Sequence, residues 1–231
     1  MNRITAITVT CNTKHLIQQA YESFRKFHPD MPLIIVDGST PGNECYKYVV
    51  SLASKITTVA IAGYNIGHGK GMNEALYMVK TPYALIFDSD IVFLKSPVSE
   101  MLKMFEPDTY GVGYIEQTGW DGFEYKVSNR VCDYPPIKYL HPYFQLISVA
   151  RYKEFPPYVH HGAPCFKTMN EICRQGLSDK ILKSFPGLGH SSGKGWGWTG
   201  EPREFIQHDT AGTRNDRVRK GLHETEGSWE R

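Results

Sequence analysis

Two carboxylates, Asp88 and Asp90, lie two positions apart after an apolar stretch, Tyr83–Phe87, that we predict to be a buried strand. On extended backbone such residues point the same way, so their charges would repel unless a cation lay between them. Hard divalent cations take oxygen ligands, and Mg2+ binds one or two carboxylates together with substrate phosphates. The spacing therefore predicts a metal site for a diphosphate ligand, with a solvated turn as the alternative.

Residues 63–75 form a second cluster, in which four glycines and Lys70 precede or begin a predicted helix. Glycines leave backbone N–H groups accessible, and a helix N-terminus favours anions. Lys70 would add a positive charge towards a phosphate, whereas a flexible loop with a solvated lysine is the plain alternative. The segment is not a P-loop, because Gly71 rather than Ser or Thr follows Lys70.

The elements that would position these residues alternate between strand and helix over the first hundred residues. Apolar runs predict strands at 4–10, 33–36, 56–62 and 83–87, and helical spacing predicts helices at 16–27, 46–53 and 72–79. This alternation is typical of right-handed βαβ units in an α/β fold with a mostly parallel sheet flanked by helices. Ligands bind beyond the carboxyl ends of such strands, where Asn12, Asp37, Asn65 and Asp88 fall.

The pattern is less regular after residue 95. We predict helices at 97–105 and 164–175 and strands at 110–115, 123–127 and 143–149. Residues 186–200 are rich in Gly, Trp and Ser and are interpreted as a loop. Thirteen of the last thirty-one residues are charged, so we expect this tail to be mobile or to order on a ligand. With no repeat and no linker, residues 1–231 are interpreted as one domain.

Composition limits the classes of function. With 26 Lys+Arg against 24 Asp+Glu, the net charge of +2 provides no basic field, which argues against nucleic-acid binding. No run of 18 apolar residues occurs, so no membrane-spanning helix is expected, and the start of the chain is unlike a signal peptide. The five cysteines are an odd, scattered set, typical of reduced thiols in a cytoplasmic protein.

Four ordered motifs within residues 4–95 resemble those of GT-A-fold glycosyltransferases, especially the large family-two group. They are Ile4–Asn12, Leu33–Thr40, Asn65–Gly67 followed by Asn73 and Ala75, and Ile86–Asp90. The resemblance implies a GT-A-like, Rossmann-related fold, a nucleotide-diphosphate-sugar donor, Mn2+ or Mg2+, and transfer by inversion to a hydroxyl of a glycan or other acceptor. By family frequency the donor is expected to be a UDP-sugar. Residues 1–95 would form the donor half and residues 96–231 the acceptor half.

The resemblance also implies roles for individual residues. Asp37 would contact the nucleoside base or its ribose, Asp88 would lie near the ribose and the metal, and Asp90 would be the principal metal ligand. The family more often has a second aspartate immediately before Asp37; here that residue is Val36, which leaves the base preference open. The full donor-binding set is Thr10, Asn12, Asp37, Asn65, Lys70, Asp88 and Ser89.

The acceptor-side base is expected from the second half of the chain. Family members usually have a Glu-Asp pair at the start of a late helix, but the corresponding stretch here is Val159–Pro164. Our hypothesis gives the role of base or acceptor-positioning residue to His161, ahead of His160. Asp121 and Asp133 are rivals, because both fall in loops that could border the acceptor. Local packing or capping by the histidine pair is an equally open alternative.

A third metal ligand is expected from a late histidine, since imidazole tolerates Mn2+ and GT-A enzymes often complete their metal site in this way. We favour His190 over His208, because the glycines around His190 would let that loop close over a bound donor. A competing Zn2+ site would use His160, His161, Cys165 and Cys173. Without a paired Cys-x2-Cys motif, buried thiols explain the cysteines better.

Two alternatives to a glycosyltransferase stay open. A nucleotidyltransferase also places nucleotide and metal over a parallel sheet, but such enzymes typically have a Gly-rich loop after the first strand, and Cys11–Lys14 contains no glycine. A non-catalytic module that binds nucleotide sugars would keep the donor motifs without an acceptor-side base, and the missing Glu-Asp pair is compatible with this.

Overall fold

A computed structural model describes residues 3–120, 136–160, 162–188 and 204–208, which form nine strands and seven helices. The strands are β1 (Ile4–Thr10), β2 (Leu33–Asp37), β3 (Thr57–Ile61), β4 (Tyr83–Phe87), β5 (Ile91–Phe93), β6 (Gly111–Thr118), β7 (Ile137–Ser148), β8 (Leu182–Ser184) and β9 (Ile206–His208). The helices are α1 (Lys14–Phe27), α2 (Glu44–Ser51), α3 (His68–Met78), α4 (Val98–Lys103), α5 (Val149–Tyr152), α6 (Phe166–Arg174) and α7 (Ser178–Ile181).

Seven strands form the central sheet in the order β3-β2-β1-β4-β7-β6-β8. Strands β3, β2, β1 and β4 pair in parallel, β7 runs antiparallel to both β4 and β6, and β8 pairs in parallel with β6. The predicted mostly parallel sheet with flanking helices is confirmed. The reversed direction of β7 was not predicted, and it joins the first and second parts of the chain in one sheet. The division into donor and acceptor halves at residue 95 stays a prediction.

Apolar side chains cover both faces of this sheet, because successive residues of a buried strand point to opposite sides. Ile34 and Ile86 belong to the core that also contains residues of α3 and α6. Ile35 and Leu85 belong to the second core, where Phe24 of α1 is fully buried. Burying a side chain of this kind stabilises the fold by about 1.5–3 kcal/mol. The two cores therefore fix the strand ends from which the polar residues project.

The predicted elements of the first hundred residues agree with the structure to within a few residues, except that α3 begins at His68 rather than at residue 72. Its first turn is rich in glycine and has no apolar periodicity, so the pattern could not show it. β7 begins at Ile137, six residues before the predicted start at residue 143. Pro142 argues against a strand, and it lies where the register between β6 and β7 shifts. The predicted strand at 123–127 lies outside the described residues.

A small antiparallel sheet joins β5 to β9, with Ile91 opposite His208 and Phe93 opposite Ile206. β5 begins directly after Asp90. The pairing therefore brings residue 208 to the carboxyl end of β4, although more than a hundred positions separate the two in sequence. Neither three-residue strand was predicted.

Four cysteines, Cys11, Cys45, Cys165 and Cys173, carry free thiols, and the fifth, Cys132, lies outside the described residues. In the part of the chain that the structure describes, no helix is long and apolar enough to cross a membrane.

Candidate active site

Asp88, Asp90 and His208 each offer one ligand atom, and these three atoms lie within 4.8 Å of one another. Nε2 of His208 lies 3.2 Å from Oδ1 of Asp90 and 3.7 Å from Oδ2 of Asp88. The three side chains are at most 20% exposed, so a cation bound between them would be largely shielded from water. Two carboxylates and one imidazole suit Mn2+, and Mg2+ would use the carboxylates. The donor set therefore fits the predicted divalent cation.

The end of β4, strand β7 and the small sheet position this triad. The backbone N–H of Asp88 donates to the carbonyl oxygen of Tyr143 at 2.9 Å, which ties the residue after β4 to β7. The ring of Tyr143 stacks on that of His208, with centroids 4.9 Å apart and planes at 7°. His208 is thus held by the β5–β9 pairing on its backbone and by an aromatic ring on its side chain.

His68, the first residue of α3, contacts the other oxygen of Asp88, with Nε2 lying 3.2 Å from Oδ1. Burial alone raises the pKa of Asp88, but the imidazole of His68 and, more weakly, that of His208 outweigh it and lower this pKa to about 2. Burial also lowers the pKa of His68, and the nearby carboxylates of Asp88 and Asp90 outweigh that effect and raise it. Asp88 is therefore ionised at neutral pH despite its burial.

Asp37 lies at the carboxyl end of β2, opposite Thr10 of β1, and is fully buried. Its Oδ1 accepts the backbone N–H of Ser39 at 3.0 Å, whereas Oδ2 has no hydrogen-bond partner among the described residues. Burial raises the pKa of Asp37, although the hydrogen bonds from Ser39 oppose this rise. A buried carboxylate oxygen without a donor is costly, so this one is suited to accept an N–H or O–H group of a ligand.

Asn12 joins the loops that follow β1 and β2. Its backbone has a positive φ of 59°, which asparagine tolerates better than most residues. Its N–H donates to Oγ of Ser39 at 2.8 Å, and its Oδ1 accepts the N–H of Thr40 at 2.9 Å and the side-chain amide of Asn43. The structure thus gives Asn12 a role in shaping the loop beside Asp37, and its predicted contact with the donor stays a prediction.

The glycines at the start of α3 are explained by close packing. A Cβ on Gly67 would overlap the ring of His160, and a Cβ on Gly69 would overlap the backbone carbonyl of Val159. Both glycines are buried, and their predicted N–H contacts with an anion stay a prediction. Lys70 is exposed, and its contact with phosphate stays a prediction. The segment around residues 158–160 therefore lies directly on the helix start.

Asn73 holds the same segment through its side chain. Its Nδ2 donates to the carbonyl oxygen of Tyr158 at 2.7 Å, and its Oδ1 accepts the N–H of Tyr158 at 3.0 Å and the hydroxyl of Tyr152 at 2.5 Å. The Tyr158 hydroxyl in turn lies 3.0 Å from that of Tyr110. A residue of the first part of the chain therefore fixes a segment of the second.

The remaining predicted site residues divide into two groups. The first group lies within the described residues. Ser89, which stands between the two aspartates in the sequence, is buried. Asn65 and His160 are exposed, and Oδ1 of Asn65 accepts the N–H of Gly67 at 3.1 Å. The second group lies outside the described residues and consists of His161, Asp121, Asp133 and His190. The roles predicted for these four residues stay predictions. Among the described histidines, the one that joins the two aspartates is His208, the residue that we had placed second.

Sequence reasoning also missed His141 and Glu116, which lie on β7 and β6. Nε2 of His141 is 3.8 Å from Oε1 of Glu116, and the His141 ring lies 5.1 Å from that of Tyr143. His141 also contributes to lowering the pKa of Asp88, though less than His68 and His208 do. His141 lies in the part of β7 where the register with β6 shifts, and such irregularities are common beside functional sites. Only recognition of β7 as one long strand could have indicated this.

The sheet order and the Asp-x-Asp site at the end of β4 define the class of GT-A-fold glycosyltransferases. The model of the family described as "Glycosyl transferase family 2" matches residues 5–172, well over half of the chain, so the chain belongs to that family. The resemblance to family-two GT-A glycosyltransferases is therefore confirmed. This membership favours a glycosyltransferase over a nucleotidyltransferase. A search of curated protein sequences finds no significant match.

Solved structures share the fold at low sequence identity. A mannosyltransferase from Pyrobaculum calidifontis, in complex with GDP-Man and Mn2+, is 15% identical, with a TM-score of 0.58 over 80% of this chain and 55% of that chain. GalNAc-T7 with UDP, GalNAc and Mn2+ is 12% identical, with a TM-score of 0.60 over 80% and 43%. Glucosyl-3-phosphoglycerate synthase from Mycobacterium tuberculosis, in complex with UDP, is 14% identical, with a TM-score of 0.56 over 84% and 73%. The chain thus spans about half the length of the first two proteins.

Proposed function

We propose that the protein transfers a sugar from a nucleotide-diphosphate donor to a hydroxyl of a glycan or other acceptor, with Mn2+ or Mg2+ as cofactor and with inversion. The observation that carries this proposal is the triad of Asp88, Asp90 and His208, whose ligand atoms lie within 4.8 Å of one another at the carboxyl end of a parallel strand. Family membership supports sugar transfer as the reaction. Structural neighbours with Mn2+ and nucleotide diphosphates support the choice of cofactor and donor.

Asp37 is the proposed recognition group for the nucleoside. Its unpartnered Oδ2 can accept a hydrogen bond from the N–H of a uracil or guanine ring or from a ribose hydroxyl. A UDP-sugar is the donor that we expect, although one neighbour binds GDP-Man. Thr10, Asn12, Asn65, Lys70 and Ser89 would complete the donor side.

The residues would divide the chemistry between them. Asp88, Asp90 and His208 would hold a divalent cation, which when bound would neutralise charge on the diphosphate as the sugar–phosphate bond breaks. Asp37 would orient the nucleoside so that the anomeric carbon faces the acceptor. A base on the opposite face would take the proton of the acceptor hydroxyl, and His161, Asp121 and Asp133 are the proposed residues for this step.

A thermal-shift panel of nucleoside diphosphates and nucleotide sugars, each with and without Mn2+, tests the proposal. A ligand at a hundredfold excess over its Kd stabilises the native state by about 2.7 kcal/mol, which raises Tm by several degrees. We expect uridine compounds to give this rise only with Mn2+. Asp90→Asn keeps the side-chain shape but removes a ligand charge, so it should abolish the Mn2+-dependent rise in Tm. The proposal would be contradicted if the nucleotide raised Tm equally with and without Mn2+, or equally in the unmodified protein and in Asp90→Asn.

A transfer assay separates catalysis from mere binding. With the donor identified by the panel, Mn2+ should support hydrolysis or transfer of the sugar, and Asp90→Asn should reduce the rate about a thousandfold, because metal stabilisation of a leaving group is worth several kcal/mol. Tight donor binding without any turnover would indicate the non-catalytic module.

A further inference from the structure

The two carboxylate oxygens of Asp88 face different histidines. Oδ2 lies on the side of the metal triad, 3.7 Å from Nε2 of His208, whereas Oδ1 lies 3.2 Å from Nε2 of His68. Each carboxylate oxygen has two lone pairs, so the ion pair with His68 does not occupy Asp88, but it restricts the rotation of its carboxylate. The contact with His68 therefore favours the orientation of Asp88 in which Oδ2 lies on the side of His208.

The backbone on both sides of His68 is closely packed. It is the first residue of α3 and follows Gly67, whose φ is +82°. The ring of His160 and the carbonyl group of Val159 occupy the space beside Gly67 and Gly69, so that neither glycine has room for a Cβ. The helix start that carries the imidazole is therefore enclosed on the side of residues 159–160.

We infer that His68 is a positioning residue for the metal site: its ion-pair contact with Oδ1 of Asp88 restricts the orientation in which that carboxylate would be presented to a cation. This inference rests on the proposed function, because it requires that Asp88 and Asp90 bind a divalent cation. Partners that orient metal ligands from outside the coordination shell are worth roughly 10–100-fold in metal affinity. His68 would act on the reaction through Asp88, without touching the donor or the acceptor.

A plain structural role for the same contact makes a different prediction. If the pair of His68 and Asp88 only stabilised the fold, its loss would lower the free energy of unfolding and leave the cation affinity of the folded protein unchanged. Two measurements on each variant therefore separate the roles: urea unfolding for stability, and Mn2+ titration of the folded full chain for affinity.

The variants His68→Gln and His68→Leu form a matched pair. The Nε2 amide of glutamine can reach the position of the imidazole Nε2 and donate to Oδ1, whereas leucine fills a similar volume without a donor. The electron paramagnetic resonance signal of free Mn2+ reports binding of the metal alone, and each titration is repeated with uridine diphosphate. We expect His68→Leu to bind Mn2+ roughly 10–100-fold more weakly and His68→Gln to remain within about threefold of the unmodified protein.

Each outcome is decisive. Unchanged Mn2+ affinity in His68→Leu would overturn the inference and leave the proposed function standing. No Mn2+ binding by the unmodified protein, with or without uridine diphosphate, would overturn both. If His68→Leu does not fold, His68→Asn replaces it, because its shorter amide remains polar but does not reach the position of Nε2. We then expect His68→Asn to bind Mn2+ as weakly as was expected for His68→Leu. A Mn2+ affinity like that of His68→Gln would overturn the inference.

Discussion

Two regions of the molecule meet at the site, and they assemble in different ways. The first is the carboxyl edge of β1, β2 and β4, which supplies Asp37, Asp88 and Asp90 from the ends of parallel strands. The second consists of β7, the segment at residues 158–160 and β9, which reach the same place through an antiparallel strand, close packing on α3 and a three-residue pairing.

The difference concerns how far a local pattern can determine a site. In a parallel sheet, every strand ends at the same edge, so each short motif is positioned by its own strand and the hydrophobic core. In the second region, positions depend on individual contacts outside the parallel strands, such as Ile91 with His208 and Asn73 with Tyr158. Variants at His208 and Gly69 test whether these contacts form part of the site.

The largest effect is expected at His208, where the second region would complete the metal triad of the first. We expect His208→Ala to weaken Mn2+ binding about a hundredfold or more, because loss of a ligand should cost at least as much as loss of the partner of a ligand. Mn2+ titration of the folded protein measures this effect. Gln207→Ala is the matched control, since Gln207 is the exposed neighbour of His208 on β9.

The variant His190→Ala tests whether His190 or His208 is the third metal ligand. The triad of the described residues requires that this variant keep Mn2+ affinity while His208→Ala loses it. The reverse result would show that the glycine-rich loop supplies the ligand, as the sequence suggested, and would remove β9 from the metal site.

Particular residues show why the sequence indicated only part of this arrangement. Asp37, Asp88 and Asp90 could be predicted because each follows an apolar run long enough to be recognised as a strand. His208 could not be ranked correctly, because β9 has three residues and no periodicity. His141 was missed because Pro142 interrupts the pattern of β7. Sheet order and helix placement follow from local periodicity, but the partners of short or interrupted strands do not.

A smaller effect is expected from Gly69→Ala, which tests the packing of the second region on α3. In an open helix, alanine in place of glycine stabilises by up to about 1 kcal/mol. Here the added Cβ would overlap the carbonyl group of Val159, so we expect a loss of roughly 1–3 kcal/mol in the free energy of unfolding measured with urea. The sign of the change is therefore diagnostic.

Gly71→Ala on the same helix is the control for this steric argument. The nearest atom to its added Cβ is a methyl group of Val9 at 2.7 Å, and a side chain can move more easily than a backbone carbonyl. We expect a smaller loss than at Gly69. A stabilising Gly69→Ala would mean that residues 159–160 do not pack on α3 in solution.

The smallest effect is expected at Asp37, where the first region keeps a buried carboxyl group whose pKa is raised by burial. A raised pKa means that the folded state binds the proton more tightly than the unfolded state. Stability should therefore fall as the pH rises from the unfolded value near 3.8 through the folded pKa, and stay lower above it. Asp37→Asn lacks this titration. In urea unfolding between pH 4 and 8, we therefore expect the free energy of unfolding of the variant to rise relative to that of the unmodified protein as the pH increases.

The same variant should bind the donor more weakly, since an amide that still accepts from Ser39 offers its NH2 group where the nucleoside needs an acceptor. Higher stability with weaker nucleotide binding would identify Asp37 as a residue kept for function at a cost to the fold. If Asp37→Asn were instead less stable at pH 8 and bound uridine diphosphate normally, its carboxylate would be a structural part of the loop, and the first region would resemble the second in using its polar residues for packing.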